Sequence, residues 1–259
     1  MLGPLAGEIS STSICRGGLV EETYSALCAW DLDKPRADNI RELREGGAIS
    51  ARTMSWRRDI VAAISRRFDP GTRDLPLTLL AKHGCPYAIW RPLLLWHLTR
   101  NEFLVRFFLV QFLQPQHAAG AYRVNADDVI PFLQQKQVQK RLKKPWQPPT
   151  LRRVANGLLQ TAYDFQLLRG TVVKEFHSYH LPDESFVYLL HAIADTEPNA
   201  RRVVDAEDWR MFLMDSADVE RELLRLHQFR KVQYEVAGSL AQLKLPFTSP
   251  AAYARELYA

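Results

Sequence analysis

Cysteine is scarce in this chain. Cys15, Cys28 and Cys85 form no C-x-x-C pair and, being three, cannot all be bridged within one molecule. They read as reduced, mostly buried thiols of a cytosolic protein. No run of about 18 uncharged apolar residues exists either. The richest stretch, AIWRPLLLWHLTRNEFLVRFFLVQFL at 88–113, is broken by Arg91, His97, Arg100, Asn101, Glu102 and Arg106. Two buried helices meeting near Thr99–Asn101 explain it better than a membrane span, and a soluble protein is expected. Met1-Leu-Gly-Pro has neither a basic start nor an apolar core, so no signal peptide is expected. The chain has no internal repeat and no low-complexity tract.

Catalytic motifs are missing as well. There is no GxGxxG, no Walker-type GxxxxGK(S/T), no GxSxG and no HExxH. His177 and His180 in HSYH suggest a metal pair, yet positions three apart on a strand point to opposite faces, and no cysteine is near them in sequence. His83 and Cys85 in KHGC stand in no recognisable motif. Asp127-Asp128 and Asp183-Glu184 fall where helix N-termini favour negative charge. No catalytic residue, metal or cofactor is expected. An unrecognised hydrolase or nuclease, needing carboxylates that converge only in space, is the weakest reading.

What the chain does have is an ordinary folding composition: 259 residues, 47% hydrophobic and 24% charged, enough for one compact unit with two lobes. The lobes are expected at 1–70 and 71–259. Helical periodicity dominates. Helices are expected at 19–30, at 39–47 behind an Asp38 cap, and at 51–68 behind a Ser50 cap, the last stopped by Asp69-Pro70-Gly71. On that helix Trp56, Ile60, Val61, Ile64 and Phe68 form an apolar stripe, with its arginines mostly outside it. Others follow near 75–83, 86–98, 101–113, 126–137 and 149–168, where Gly170 ends the run. After a short strand in TVVKEFHSY come helices at 184–195, 205–214 and 217–229. KVQYEVAGSLAQLKLPF reads as a hairpin around Ala237-Gly238, and a helix at 249–258 closes the chain. The expected class is mainly α, a compact multi-helix architecture with a few short strands and a C-terminal β-hairpin.

The formal charge of +5 is modest, but its distribution is uneven. Lys136, Lys140, Arg141, Lys143, Lys144, Arg152 and Arg153 lie in a window, 129–163, that holds no Asp or Glu. The window 181–222 holds eleven acidic residues against Arg201, Arg202, Arg210 and Arg221. A molecule divided in this way presents one face to a polyanion, unless folding interleaves the two regions.

Two basic elements follow. Around Gly46-Gly47, a short helix, a tight turn and a longer helix resemble a helix-turn-helix, with Arg52, Arg57, Arg58, Arg66 and Arg67 placed to meet phosphates or groove edges. The alternative is a plain helical hairpin with a solvated arginine face. The second element is KQVQKRLKKPWQPPTLRR at 136–153. Its cations supply counterion-releasing charge, and Trp146 offers a ring that stacks on a base or plugs the core. Pro145, Pro148 and Pro149 stiffen it. A loop that starts a helix also places free backbone N–H groups beside an anion, and Thr150, Arg152 and Arg153 would add to that site. The alternative is a solvated connector.

Four blocks carry a resemblance: GEISSTSICRGGLVEETYSAL at 7–27, SWRRDIVAAISRRF, TLRRVANGLLQTAYDFQLLRG and FHSYHLPDESFVYLLHAIAD. Together, over roughly residues 5–256, they resemble the BrxA family of bacteriophage-exclusion (BREX) systems. The resemblance implies a cytosolic, mostly helical protein with a fold similar to the NusB antitermination factor, binding double-stranded DNA through basic surface and not known as an enzyme. Its implied companions are a methyltransferase, a large ATPase and a phosphatase-like protein of the same defence locus. The family is sometimes labelled an inner-membrane protein, a label the broken 88–113 segment argues against. The resemblance transfers no catalytic or base-reading residue, so the DNA contacts named above rest on charge placement. The expected function is a non-catalytic DNA-binding component that grips backbone phosphate. The alternative is an adaptor without direct DNA contact, which docks other BREX proteins through the acidic 181–222 region and the C-terminal hairpin.

Overall fold

Apolar residues three and four apart define nearly every element. The computed structural model describes residues 9–238 and 240–258. Residues 1–8, read above as carrying no signal peptide, lie outside that range. A single helical turn, Ser11–Ile14, precedes the helices Val20–Ala29, Arg36–Glu45, Met54–Arg67, Leu75–Lys82 and Tyr87–Thr99. From Phe103 to Ala118 runs one rod whose middle, Leu109–Leu113, widens into a π-helix. Pro115 stands two residues after Leu113, and its missing N–H cannot serve the preceding turn, which is where helices widen. Ala126–Leu133, Lys136–Gln139 and Pro148–Asp164 come next, then Asp183–Ala194, Ala200–Val204, a 3-10 turn Glu207–Phe212, Ser216–Gln228 and Pro250–Glu256.

Strands are few. Lys174–Phe176 lies between Arg123–Val124 and Leu168–Arg169 in a small antiparallel sheet. Gln233–Ala237 pairs with Leu240–Lys244 in the expected C-terminal hairpin, with Ala237 opposite Leu240. The class is mainly α, as the periodicity implies.

Several boundaries differ from expectation for local reasons. The helix 36–45 starts at Pro35, which puts Asp38 in its first turn, paired with Arg41 at 2.7 Å. The helix 54–67 is capped by Thr53, whose Oγ1 accepts from the Trp56 N–H at 3.1 Å. Ile49 is fully buried and anchors the connection, so the helix cannot begin at Ser50. The helix 148–164 ends well before Gly170, because Gln166 turns left-handed (φ 60°) and Leu168 enters the sheet. Gly170 instead makes the turn between the two strands at φ 90°, where a Cβ would stand 2.3 Å from the Val173 carbonyl oxygen. The helix expected at 205–214 is only the 3-10 turn Glu207–Phe212, with the helix Ala200–Val204 lying before that range, and His177 and His180 lie beyond the strand end at Phe176. Cys85 is buried, but Cys15 is half-buried and Cys28 exposed, so the thiols are not mostly buried; all three are free.

One cluster of buried side chains runs from Ile14 to Ala254. The lobe boundary expected at residue 70 falls in the turn between helices 54–67 and 75–82. Across it, Cys28 Sγ donates to the Ala81 carbonyl at 3.3 Å and Lys82 Nζ to the Trp30 carbonyl at 2.8 Å. No helix among the described residues is long and apolar enough to cross a membrane.

Two histidines are buried in the core with opposite fates. His97 Nδ1 lies 2.6 Å from Asp74 Oδ1 and its Nε2 2.8 Å from the Tyr188 hydroxyl. Burial alone would raise the Asp74 carboxyl, but hydrogen bonds from His97 and Arg73 outweigh it and hold it down to about 2. His191 has no such support. Its Nε2 is buried without a hydrogen-bond partner among the described residues, beside the Tyr253 ring at 5.4 Å. Burial pushes its pKa down to about 4. The unfolded chain takes up a proton there near pH 6.5, while the folded chain resists until about 4. The contribution of His191 to stability is therefore constant above pH 6.5 and falls by about 3 kcal/mol as pH drops through that interval. His191→Phe keeps a ring in the site and removes the orphan nitrogen. Urea melts at pH 7 and pH 4.5 should show that this variant loses much less stability on acidification than the parent.

Candidate nucleic-acid interface

The segment 136–153 is a built connection and not a slack loop. Asn125 and Asp128 close a reciprocal capping box on helix 126–133. Val138, fully buried, pins the short helix 136–139, and Gln139 Nε2 donates to the Leu133 carbonyl at 2.9 Å. The Arg141 guanidinium sits 3.9 Å over the Phe103 ring, and its carbonyl accepts from the Ile9 N–H at 3.2 Å. Trp146 is half-buried and packs against the core, so plugging takes up much of its ring.

The helix start at Pro148 differs from the expected anion site. Pro148 and Pro149 occupy its first positions and have no N–H, while the Thr150 N–H donates to the Gln147 carbonyl at 2.9 Å. The backbone therefore offers no free donors there, and any anion has to be held by side chains. Arg152 pairs with Asp127 at 2.5 Å. Lys136, Lys140, Lys144 and Arg153 are exposed and enter no ion pair among the described residues; Lys143 is exposed too.

The arginines of helix 54–67 divide more sharply. Arg67 is 2% exposed, a core residue and not a phosphate contact. Its Nε donates to Glu102 at 3.3 Å and its terminal nitrogen to the Ser13 carbonyl at 2.7 Å. Burial pushes the guanidinium below its ordinary pKa, against the pull of Glu102. Arg66 reaches the same carboxylate at 3.1 Å, and Ser13 Oγ donates to it as well. Periodicity misplaces Arg67 because it sits at the same spacing from Ile60 and Ile64 as a buried leucine would. Arg57 is half-buried, whereas Arg52 and Arg58 remain exposed and outside any ion pair among the described residues. Trp56, placed on the apolar stripe by spacing, is 39% exposed.

The helix-turn-helix geometry is not formed. Arg36, at the start of helix 36–45, donates to the Phe68 carbonyl at 3.0 Å and pairs with Asp69 at 3.1 Å, so the two helices run antiparallel. Residues 46–53 join them, longer than the turn of about 3–4 residues that the motif needs. This is the plain helical hairpin.

Residues 9–16 connect the two basic elements. Ile9 bonds to Arg141 and Cys15 Sγ donates to the Arg153 carbonyl at 3.7 Å. The next residue, Arg16, pairs with Asp59 at 2.9 Å and lies 4.7 Å over the Trp56 ring. One short strap thus borders both 136–153 and 54–67. It lies so close to helix 148–164 because of Gly157, where a Cβ would stand 2.8 Å from the Ile14 carbonyl oxygen. Sequence reading missed the strap; the signal was a glycine in a helix interior, which needs a packing reason.

The charge division is softer than the sequence count. Most acidic side chains of 181–222 are answered locally: Asp208 by Arg106, Asp183 by Arg225 and Lys231, Glu220 by Arg201, Glu222 by Arg225. Among the described residues no group of three His, Cys, Asp or Glu is placed to hold a metal ion.

A family model described as BrxA matches residues 10–192, more than half of the chain. The chain belongs to the BrxA family. Members of BrxA are components of BREX phage-defence systems. The BrxA match takes in the strap and both basic elements and stops inside helix 183–194. The C-terminal hairpin and final helix of this BrxA chain lie beyond it. Comparison with curated proteins and with solved structures gives no match.

Proposed function

We propose that this BrxA protein is a non-catalytic, cytoplasmic DNA-binding component of its defence system, gripping the phosphate backbone of duplex DNA through the 136–153 segment. The observation that carries the reading is the set of exposed cations that enter no ion pair among the described residues, on a loop fixed at both ends: Lys136, Lys140, Lys144 and Arg153. Elsewhere about half of the cations pair with neighbouring carboxylates among the described residues. Arg52 and Arg58 are the exposed cations of the second basic element. With four to six phosphates neutralised, log K should fall against log[salt] with a slope of roughly −4 to −5, at about 0.9 per contact. An anisotropy titration of a labelled duplex over a range of salt measures it. A flat response would overturn the reading.

A second reading, docking of other BREX proteins, is favoured by apolar side chains left exposed near the C-terminus. Leu224 and Phe229 on or beside helix 216–228 are 46% and 66% exposed, and Leu240 of the hairpin 74%.

A further inference from the structure

A cleft of about 790 Å³ opens beside the strap at Arg16. Its walls are the start of helix 20–29, Trp56, the beginning of helix 87–99, and Gln160 and Tyr163 on helix 148–164. Three aromatic rings face or border it, each with a cation over one side: Arg16 over Trp56 at 4.7 Å, Arg91 over Tyr87 at 4.7 Å, and Lys174 over Tyr163 at 3.9 Å. Trp56 and Tyr163 are still 39% and 38% exposed. Arg91 Nε is buried with no hydrogen-bond partner among the described residues, a donor that lacks its acceptor.

These groups suit a flat heteroaromatic ring. Glu21, Glu22 and Asp164 line the same cleft beside Arg16, Arg91 and Arg169, so it is not a simple anion site. Asp164 is occupied by the Gly18 N–H and by Gln160, each at 2.7 Å. Glu21 and Glu22 enter no ion pair among the described residues and can accept from the amino and imino edges of a base. Rings and guanidinium planes stack on bases, whatever the sequence. Helix 148–164 supplies the path: Arg152 and Tyr163 are eleven residues apart, about three turns, and return to the same face about 16 Å further along. Asn156 and Gln160 are exposed between them.

Resting on the DNA-binding reading above, we propose that this cleft receives an unpaired nucleobase from DNA whose duplex is held by the 136–153 segment. The test compares two labelled duplexes of equal length, one fully paired and one with a three-nucleotide bulge carrying 2-aminopurine. The bulged DNA should bind about tenfold tighter, the effect of one stacked base, with its 2-aminopurine fluorescence quenched. Trp56→Ala with Tyr163→Ala should erase both the preference and the quenching while the paired duplex binds as before. Trp56→Phe with Tyr163→Phe, which keeps the rings, should retain them. Equal affinity for the two DNAs without quenching overturns the base site and leaves duplex binding standing. A preference that survives the alanine variant places the base elsewhere and overturns the assignment to this cleft. If neither DNA binds, the DNA reading itself falls, and the base site with it.

Discussion

Replacing Lys136, Lys140 and Lys144 together by glutamate should lower affinity for duplex DNA on the order of a thousandfold at about 0.1 M salt. Each phosphate contact contributes about 0.9 of a decade in affinity for every decade of salt, so three lost contacts remove nearly three decades before repulsion is counted. The same variant should flatten the salt slope by about three units. Its melt should stay within about 0.5 kcal/mol of the parent, because all three side chains are exposed and outside any ion pair among the described residues. Arg141 is left out deliberately: it stacks on Phe103 and its backbone holds Ile9, so changing it would disturb the strap. Gel shift and thermal melts on the same preparation separate the two effects. Unchanged affinity would move the site to Arg52 and Arg58 or remove it.

The second large effect is on stability. Glu102→Ala should destabilise the fold by about 3–5 kcal/mol, seen as a lowered urea midpoint, because it leaves the 2%-exposed Arg67 as an uncompensated buried charge. That is a sizeable share of a typical total of about 5–15 kcal/mol. Arg67→Met in the Glu102→Ala background removes the stranded charge and fills similar volume, so it should recover much of the loss. The double variant should also bind DNA with parental salt dependence, since Arg67 faces Ser13 and Glu102 and not solvent. Weakened DNA binding in a well-folded double variant would return Arg67 to the interface. A milder loss in Glu102→Ala than in Arg67→Met would show that Ser13 and Arg66, and not Arg67, are the main clients of that carboxylate.

Periodicity made most helices legible, because burial of one stripe is a local property that spacing records. Ile60, Val61, Ile64 and Phe68 are buried as their spacing implies, and so are Leu151, Val154, Leu158, Ala162 and Phe165. Spacing does not say what lies opposite a stripe. Arg67 shares the stripe's geometry and found a carboxylate 35 residues away, a pairing that no local pattern contains. Trp56 shares it too, yet it sits near the exposed start of the helix under Arg16. The basic segment was legible as charge, but its chemistry was only half so. Proline at the helix start predicted the boundary and also removed the N–H donors that a helix start normally offers. The strap was invisible because it depends on contacts made across more than a hundred residues, between Cys15 and Arg153 and between Ile9 and Arg141.

That missing set of backbone donors has a kinetic meaning. Within the 136–153 segment the guanidinium forks of Arg141 and Arg152 are stacked or tied, and three of the four cations outside ion pairs are ammonium groups. An ammonium is a point charge with rotating donors and imposes no bidentate geometry on a phosphate. A helix start with free N–H groups would index the duplex to one register; this one does not. If the segment grips duplex DNA as proposed, such a surface would let the molecule diffuse from phosphate to phosphate, and a long residence at any one place would need contacts outside this loop.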